Sequence, residues 1–412
     1  MMWATIANKL RWSFRKNWPD VVGLLARYYP PFVFAEHPKS LDGVIPVFVF
    51  HSVEPVSFEA QLTFLKNNGY VTLNGDELLA VLKKEQPLPD NAVVLTFDDG
   101  TASLYSVAYP LLKKYGFRAI SFLIPGCVPD EAPPAPDYGL YEHGQISRQA
   151  LLERERGDFP LCSWQEIRKM HDSDVIDFQA HTMYHHLIHV SPQLVDFLHP
   201  NYDFYFYANI HVPLYYHNGR PNYRRNEPLG TPVYRAEPRM SGRPQYFDNE
   251  TVREACVRFV QESGGMHFFE QPHWRRELVQ FFRDQRKRHG DGRFESQREA
   301  YQAMLDDLRQ CRAYIEERLP GKRVRHFCFP WFIGSDAAMQ AAQEAGYEAL
   351  YWGLRRDVRA NRPGSDPLRI VRLEDRYVYR LPGAGRKPLT DLLKDKFLQN
   401  LPLFKQRLRQ SL

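Results

Sequence analysis

Apolar runs and amphipathic segments alternate along the chain from Val44 onward. The apolar runs predict buried strands, and the segments between them carry apolar residues at helical spacing. The predicted strands are "VIPVFVFH", "AVVLTF", "FRAISFLIPG", "VIDFQA", "VRHFCFP" and "YEALYWG". The predicted helices are "SFEAQLTFLKNNGY", "TASLYSVAYPLLKKYG", "SWQEIRKMHDSD", "ESQREAYQAMLDDLRQCRAYIEERL" and "SDAAMQAAQEAG". Repeated β–α units of this kind predict an α/β fold with a parallel sheet, closed or nearly closed into a barrel with helices outside.

Two stretches interrupt this alternation. The Pro-rich, acidic "CVPDEAPPAPDYGLYEHGQ" predicts a long loop. Residues 190–293 form a larger insertion whose first half is rich in Tyr, Asn, Pro and Arg and whose second half has helical spacing. The aromatic residues either fill a small added subdomain or stack on sugar rings. The segment "RPNYRR" could bind a phosphate.

Both ends of the chain are apolar and basic. In residues 1–43, Trp3, Ile6, Leu10 and Phe14 form one stripe of a predicted amphipathic helix, and residues 381–412 have a similar composition. Such ends either pack on the barrel or lie on an anionic membrane surface. Between them we predict a first barrel part, the insertion and a second barrel part, at 44–189, 190–293 and 294–380.

The composition narrows the class of protein. Of the 412 residues, 43% are hydrophobic and 25% are charged, which is typical of a globular protein, and the net charge of +5 is only mildly basic. Zinc-finger, RRM and basic-zipper patterns are absent, so we expect no nucleic-acid partner. The five scattered cysteines suit reduced thiols, and we recognise neither a signal peptide nor a run of 18 apolar residues. We therefore expect a cytoplasmic protein.

Two strand ends carry residues that suit metal chemistry. The strand "AVVLTF" ends in Asp98 and Asp99, and "VIDFQA" leads into His181 and His185. An acidic turn and structural histidines are the simpler interpretation, but the carboxyl ends of barrel strands converge on one site. Two histidines and one aspartate would leave a divalent ion an open position for water, and the second aspartate would be free to act as a base.

Three motifs, "LTFDDG", "HTMYH" and "FCFPWF", resemble those of the polysaccharide deacetylase family, the nodulation-protein-type carbohydrate esterases. The resemblance covers roughly residues 44–190 and 294–375. It implies a distorted (β/α)7-type barrel, here with a large insertion, and metal-dependent hydrolysis of N-acetyl groups on sugars.

The resemblance also implies roles for individual residues. Asp98 would be the general base, and one divalent ion, zinc with cobalt or nickel as alternatives, would be held by Asp99, His181 and His185. The third motif would shape the acetate pocket, and a backbone N–H in it would stabilise the oxyanion. The residues of that motif are Phe329, Pro330 and Trp331, with the N–H on Trp331.

The chain departs from the family pattern at two places. Many relatives have an arginine where Cys328 and Phe329 stand, and Arg372 in "LRIVRLED" is our candidate for its role of orienting the catalytic aspartate. Many relatives also take a general acid from a C-terminal histidine, but no histidine follows His326. We therefore predict that His51, at the end of the first barrel strand, is the general acid.

Three further histidines are assigned neither to the metal nor to catalysis. His326 lies in the middle of a predicted strand and is expected to be structural. His186 and His189 are expected at the surface, with a place beside the metal ligands as the alternative.

These observations predict an N-deacetylase that acts on a nucleotide-linked or lipid-linked N-acetylated sugar during assembly of a cell-surface glycan. One alternative is an amidohydrolase of the same superfamily that cleaves a small cyclic amide or ureide. The other is a non-catalytic glycan-binding protein on the same fold. The enzyme would be cytoplasmic, with peripheral contact to an anionic membrane through its ends. The oligomeric state is not predicted.

Overall fold

The computed structural model describes residues 22–136, 138–202 and 209–400, with side chains described up to residue 395. The strands, in chain order, are β1 (Val47–Phe50), β2 (Val71–Thr72), β3 (Ala92–Asp99), β4 (Ala119–Leu123), β5 (Ile176–Ala180), β6 (Leu187–Phe197), β7 (Tyr216–His217), β8 (Arg220–Pro221), β9 (Pro232–Pro238), β10 (Tyr246–Phe247), β11 (Arg293–Phe294), β12 (His326–Cys328), β13 (Ala349–Trp352), β14 (Ile370–Val371) and β15 (Leu373–Glu374). The helices are α1 (Pro31–Phe34), α2 (Pro55–Asn67), α3 (Gly75–Leu82), α4 (Tyr109–Tyr115), α5 (Tyr138–Glu142), α6 (Arg148–Arg156), α7 (Trp164–His171), α8 (Glu250–Glu262), α9 (Trp274–His289), α10 (Gln297–Arg318), α11 (Asp336–Glu344) and α12 (Leu389–Asn400).

Parallel strands form a barrel whose order is β1, β3, β4, β5, β12, β13 and the segment of residues 370–374. That segment closes the ring, because β14 pairs with β13 on one side and β15 pairs with β1 on the other. Only Arg372 separates β14 from β15. The ring therefore has seven members, which confirms the predicted (β/α)7-type barrel, and β2 adds a short parallel pairing at the amino end of β3.

The barrel strands are buried on both faces, which is why they are apolar throughout rather than alternating. Side chains inside the ring form one cluster, closed at the amino end of the strands by α3. A larger cluster lies between the strands and the surrounding helices. The inner cluster includes Val47, Val94, Ile120, Phe122, Cys328, Ala349, Tyr351 and Ile370, together with Leu78 and Leu82 of α3.

The predicted helices are confirmed, with two differences. The segment "TASLYSVAYPLLKKYG" begins as a π-helical turn at Leu104–Ala108 and continues as α4. Because Pro110 has no N–H to donate to the carbonyl four residues back, the preceding turn is free to widen. The Pro-rich stretch is mostly loop, as predicted, but includes the short α5. Ser163 caps α7 within a capping box formed with Glu166.

The insertion has a core of its own. β6 and β9 form an antiparallel pair, and the two helices that the spacing of the second half predicts, α8 and α9, share a core with them. Its buried side chains include Phe197, Tyr234, Tyr246, Val252, Cys256, Phe268, Leu278 and Phe282. The predicted boundary at residue 190 falls inside β6, since this strand leaves the barrel at residue 187 and continues into the insertion.

The described parts of both ends contact the barrel. Phe32 and Val33 of α1 are buried in the outer core, and Arg380 donates to the carbonyl of Val33. The apolar stripe predicted for residues 3–14 and the last part of the basic tail lie outside the described residues. None of the helices in the described ranges combines the length and apolar character that a membrane-spanning segment needs. All five cysteines are free thiols, as predicted.

Candidate functional site

Asp98 lies inside the barrel at the carboxyl end of β3, on the same face of the strand as Val94 and Thr96. Arg372 meets it from the closing segment with two hydrogen bonds, Nη1 to Oδ1 at 2.6 Å and Nη2 to Oδ2 at 2.9 Å. Burial raises the pKa of Asp98, but the charge of Arg372 and its hydrogen bonds outweigh this effect and lower the pKa to about 2. Asp98 is therefore ionised at neutral pH, and Arg372 contacts both of its carboxylate oxygens, which is the position that the predicted orienting role requires.

Asp99, His181 and His185 meet beside this ion pair. His181 Nε2 and His185 Nε2 lie 3.5 and 3.7 Å from Asp99 Oδ1, and all three side chains are buried. The candidate ligand atoms lie within 4.8 Å of one another. The structure thus brings together the three residues that the sequence assigned to a divalent ion.

The donor set fits such an ion. His181 Nδ1 donates to the carbonyl of Cys328 at 2.7 Å, which fixes the tautomer and leaves the lone pair of Nε2 facing Asp99. Burial lowers the pKa of His181, and it lowers that of His185 well below its usual value, aided by the positive charge of Arg225. Both imidazoles are therefore neutral, the form that coordinates metal.

A second set of potential ligands, formed by Asp98, His181 and Cys328, lies in the same place. It is less suited to a cation. Burial raises the pKa of the Cys328 thiol well above its usual value, so the thiol is protonated. The guanidinium of Arg372 also lies 2.8 Å from Cys328 Sγ, where its positive charge opposes a second cation. The set containing Asp99 is therefore the better candidate.

The backbone is strained where the site residues lie. Alternation along β3 would turn Asp99 away from the barrel interior, but its φ of +72° re-aims the side chain. Gly100 follows with a φ of +74°, and a Cβ there would meet Leu123 Cδ2 at 2.7 Å. Thr182 and His185 have φ values of +64° and +46°. Non-glycine residues adopt this region at a cost of about 1–3 kcal/mol each, so the surrounding contacts must hold them there.

Residues 182–186, the ligand loop, are held by several elements. Met183 N donates to Asp307 of α10 at 3.0 Å, and its carbonyl accepts from Gly126 N at 2.9 Å. His185 N donates to Thr182 Oγ1 at 3.0 Å within the loop. The carbonyls of Tyr184 and His185 accept from Arg225 of the insertion. The loop is therefore anchored to the barrel, to an outer helix and to the insertion.

The mouth of the site combines predicted and unpredicted residues. His51 Nε2 lies 3.9 Å from Asp98 Oδ2, and its side chain is 52% exposed, so it can reach both Asp98 and solvent. The ring of Trp331 packs against His185 at 3.9 Å between centroids, with the two rings tilted by 51°. Phe332, which the sequence did not single out, lies over the guanidinium of Arg372 at 5.1 Å.

The other two residues of the third motif point elsewhere. The Phe329 ring packs against Trp352 and Phe327 in the outer core, so the prediction that its side chain shapes the acetate pocket is wrong. The motif puts an apolar side chain on the outer face of β12, and that face is covered by helices. Pro330 is buried and faces a small cavity shared with Thr182 and His186, behind the ligand loop.

The expected surface position of His186 and His189 is wrong. His186 is buried with Nδ1 3.9 Å from Asp307 Oδ2, and His189 is enclosed by the rings of Tyr215 and Tyr234. Burial, with nearby arginine charge, lowers the pKa of each to about 3, so both are neutral. The insertion covers them. His326 is the first residue of β12 rather than lying in the middle of the strand, and it is fully buried against Tyr351.

Two supporting residues were missed from the sequence. Asp307 lies on the buried stripe of α10, where a single carboxylate among apolar positions is the only available signal. Arg225 belongs to "RPNYRR", which we interpreted as a phosphate contact, but its side chain is fully buried on backbone carbonyls. The exposed Arg220 and Arg224 are the members of that segment still open to a ligand.

Replacing Arg372 with methionine is expected to lower the free energy of unfolding by about 3–5 kcal/mol, because Asp98 is left as an unpaired buried charge. Chemical denaturation of the purified variant measures this change. The double variant Arg372→Met with Asp98→Asn removes both charges and should recover part of the loss. If the single and double variants are equally stable, the ion pair does not hold Asp98 as described.

The fold and the site define a parallel β/α-barrel protein with a buried aspartate–histidine cluster at the carboxyl ends of its strands. Residues 85–198 match the family model described as polysaccharide deacetylase. That match contains the Asp98–Asp99 and His181–His185 motifs. This part of the chain, with both motifs, is therefore similar to polysaccharide deacetylases.

Individual relatives match over shorter stretches. YxkH of Bacillus subtilis (strain 168), named as a candidate polysaccharide deacetylase, is 36% identical over 88 residues, which are 19% of this chain and 32% of YxkH. The poly-β-1,6-N-acetyl-D-glucosamine N-deacetylases of Escherichia coli (strain K12) and Staphylococcus aureus (strain MSSA476) are 28% and 29% identical over 137 and 132 residues. The matches cover 33% and 32% of this chain and 18% and 37% of those relatives. The chain thus spans well under half the length of the relatives it matches.

A solved structure, of a de-N-acetylase from Aggregatibacter actinomycetemcomitans, matches with a TM-score of 0.48 and 18% sequence identity. The match covers 80% of this chain and 94% of that chain.

Proposed function

We propose that this protein removes N-acetyl groups from an N-acetylated sugar by metal-dependent hydrolysis. The observation that carries the proposal is the buried cluster of Asp99, His181 and His185 beside the ionised Asp98–Arg372 pair. A site that had lost its function would have no reason to keep five polar side chains together in a barrel interior, where isolated charges are costly. The names of the relatives from Escherichia coli and Staphylococcus aureus agree with this chemistry.

Asp99, His181 and His185 would hold one divalent ion, zinc with cobalt or nickel as alternatives, since two imidazoles and one carboxylate suit these metals better than calcium. Bound there, such an ion would supply Lewis acidity that polarises the acetyl carbonyl and lowers the pKa of water, which suits a carboxylate as weakly basic as Asp98.

Residues of the chain would accept and donate protons and would stabilise the oxyanion. Asp98, oriented by Arg372, accepts a proton from the attacking water. His51 lies across from Asp98 at the open mouth and would donate a proton to the leaving amine nitrogen. The ring of Trp331 packs on His185 and narrows the side of the site where the methyl group of the acetyl would lie. The backbone N–H of Trp331 would donate a hydrogen bond to the oxyanion.

Acetate release tests the proposal. The metal-loaded protein is incubated with short β-1,6-linked N-acetylglucosamine oligomers, with nucleotide-linked N-acetylhexosamines and with lipid-linked N-acetylated sugars. We expect acetate from at least one of these classes, abolished by a chelator and restored by Zn²⁺ or Co²⁺. A small cyclic amide or ureide serves as the negative control. Cleavage of that compound alone would contradict sugar deacetylation, and binding of the sugars without acetate release would favour a glycan-binding protein.

We also propose that the enzyme works at the cytoplasmic face of a membrane on a lipid-linked substrate. Support comes from the five free thiols, which suit a reducing compartment, and from the basic, apolar composition of residues 381–412. We expect the protein to float with anionic liposomes at low salt and to be released at high salt, because screening weakens charge attraction. Neutral liposomes are the control. Protein that stays at the bottom of the gradient at low salt would exclude this attachment and favour a nucleotide-linked substrate.

A further inference from the structure

The ligand loop receives an unusual contact from the insertion. Arg225 lies 40 residues from His185 along the chain, and its side chain is fully buried. Its Nη1 donates to the carbonyl of His185 at 3.1 Å, and its Nη2 donates to the carbonyl of Tyr184 at 2.7 Å. One guanidinium therefore holds two consecutive carbonyls, one of which belongs to a candidate metal ligand.

Arg225 is itself held firmly. Its backbone N–H donates to the carbonyl of Asn222 at 3.0 Å, and its own carbonyl accepts from Asn209 Nδ2 at 3.3 Å. The neighbouring Tyr223 ring stacks on Tyr184 at 3.7 Å between centroids, with the two rings 12° from parallel. The insertion thus contacts the ligand loop through a fork of hydrogen bonds and a stacked ring pair.

The barrel contacts the same loop from another direction. Gly126 N donates to the carbonyl of Met183, and a Cβ on Gly126 would lie 2.4 Å from the Tyr184 ring and 2.7 Å from that carbonyl. Because the loop cannot move toward Gly126, a loss of the contact with Arg225 leaves it free to move only on the insertion side. His185 also has a positive φ, and without the contacts from Arg225 less of the surrounding structure holds the backbone in that conformation.

We propose that Arg225 is a positioning residue that sets the affinity of the Asp99–His181–His185 site by fixing the backbone of His185. The inference rests on the proposed function, since it requires that these three residues bind a divalent ion. It assigns to the insertion a role that is separate from substrate recognition. The insertion fixes the side of the ligand loop that the barrel does not contact, and thereby fixes His185. Supporting residues of metal ligands typically change affinity or activity by ~10–100-fold.

The test is a titration of the metal-free full-length protein with Zn²⁺ and Co²⁺ in competition with a chelator. Arg225→Met keeps much of the side-chain volume but donates to neither carbonyl, and we expect ~10–100-fold weaker binding. The visible absorption of the Co²⁺ form should change in shape, because the geometry at His185 changes. Arg225→Lys retains a donor for a single carbonyl and should bind with intermediate affinity.

Arg253→Met is the matched control. Arg253 is another buried arginine of the insertion, and it donates to the carbonyl of Tyr216 and pairs with Asp248, away from the ligand loop. We expect this variant to lose thermal stability but to keep wild-type metal affinity and the wild-type Co²⁺ spectrum. A purely structural role for Arg225 would make the two methionine variants alike.

The outcomes separate this inference from the proposed function. Wild-type protein that binds neither ion would contradict the metal site itself. Tight binding by wild type with equal affinity and spectrum in Arg225→Met would overturn only the role of Arg225. If Arg225→Met does not yield folded protein, Arg225→Lys decides, and wild-type affinity in that variant overturns the inference.

Discussion

Replacing Asp99 with alanine is expected to remove most of the bound divalent ion. Asp99 supplies the only carboxylate of the His181–His185 set, and its oxygen lies within 3.7 Å of both imidazole nitrogens. Two neutral imidazoles alone form an incomplete site, so the loss of affinity should exceed the ~10–100-fold that removal of a supporting residue causes. Metal analysis of the purified protein after dialysis measures the occupancy directly.

Asp98→Asn is the matched control for that experiment, because it changes the adjacent buried side chain and leaves the three proposed ligands intact. It should retain the ion. Wild-type occupancy in Asp99→Ala would contradict the assignment. Loss of the ion from Asp98→Asn together with full occupancy in Asp99→Asn would show that the set of Asp98, His181 and Cys328 binds the metal instead.

The central residues of the site could be predicted because they lie at strand ends. Parallel strands of a barrel share one carboxyl edge, so Asp98, Asp99, His181 and His185 had to come close once their strands were recognised. The alternation of strands and helices could also be predicted, since strands buried on both faces are apolar along their whole length. These patterns did not show which of the two aspartates binds the metal and which accepts the proton.

Arg372 shows how a departure from a motif can be resolved. The sequence indicated that an arginine was missing beside the third motif and offered Arg372 as a substitute. The structure gives the reason that it can serve: the closing segment pairs with β13 and β1 on opposite sides, and Arg372, between the two pairings, points into the barrel at Asp98. Such a contact between residues 274 positions apart depends on ring closure, which no local pattern specifies.

Arg225, His186 and His189 could not be predicted in this way. The contacts of Arg225 are to backbone carbonyls, which carry no side-chain signature. His186 and His189 follow the ligand motif and look like residues of a surface loop, but β6 runs from there into the insertion, whose aromatic residues bury them. An irregular insertion obeys no repeated spacing, so its packing against the barrel is set by tertiary contacts alone.

Replacing Asp98 with asparagine is expected to lower turnover by ~10²–10⁴-fold, the usual effect of losing a general base, while the metal content stays at the wild-type level. Asparagine has nearly the same shape but cannot accept a proton at neutral pH, and it leaves Asp99, His181 and His185 unchanged. Its amide cannot neutralise Arg372, so the variant should also be less stable, and activity is therefore compared at a temperature where both proteins are folded. Acetate release from the substrate class identified for wild type measures turnover. Full activity in a metal-loaded, folded Asp98→Asn protein would show that another group accepts the proton, and His51, whose Nε2 lies 3.9 Å from Asp98 Oδ2, would then be the residue to replace next.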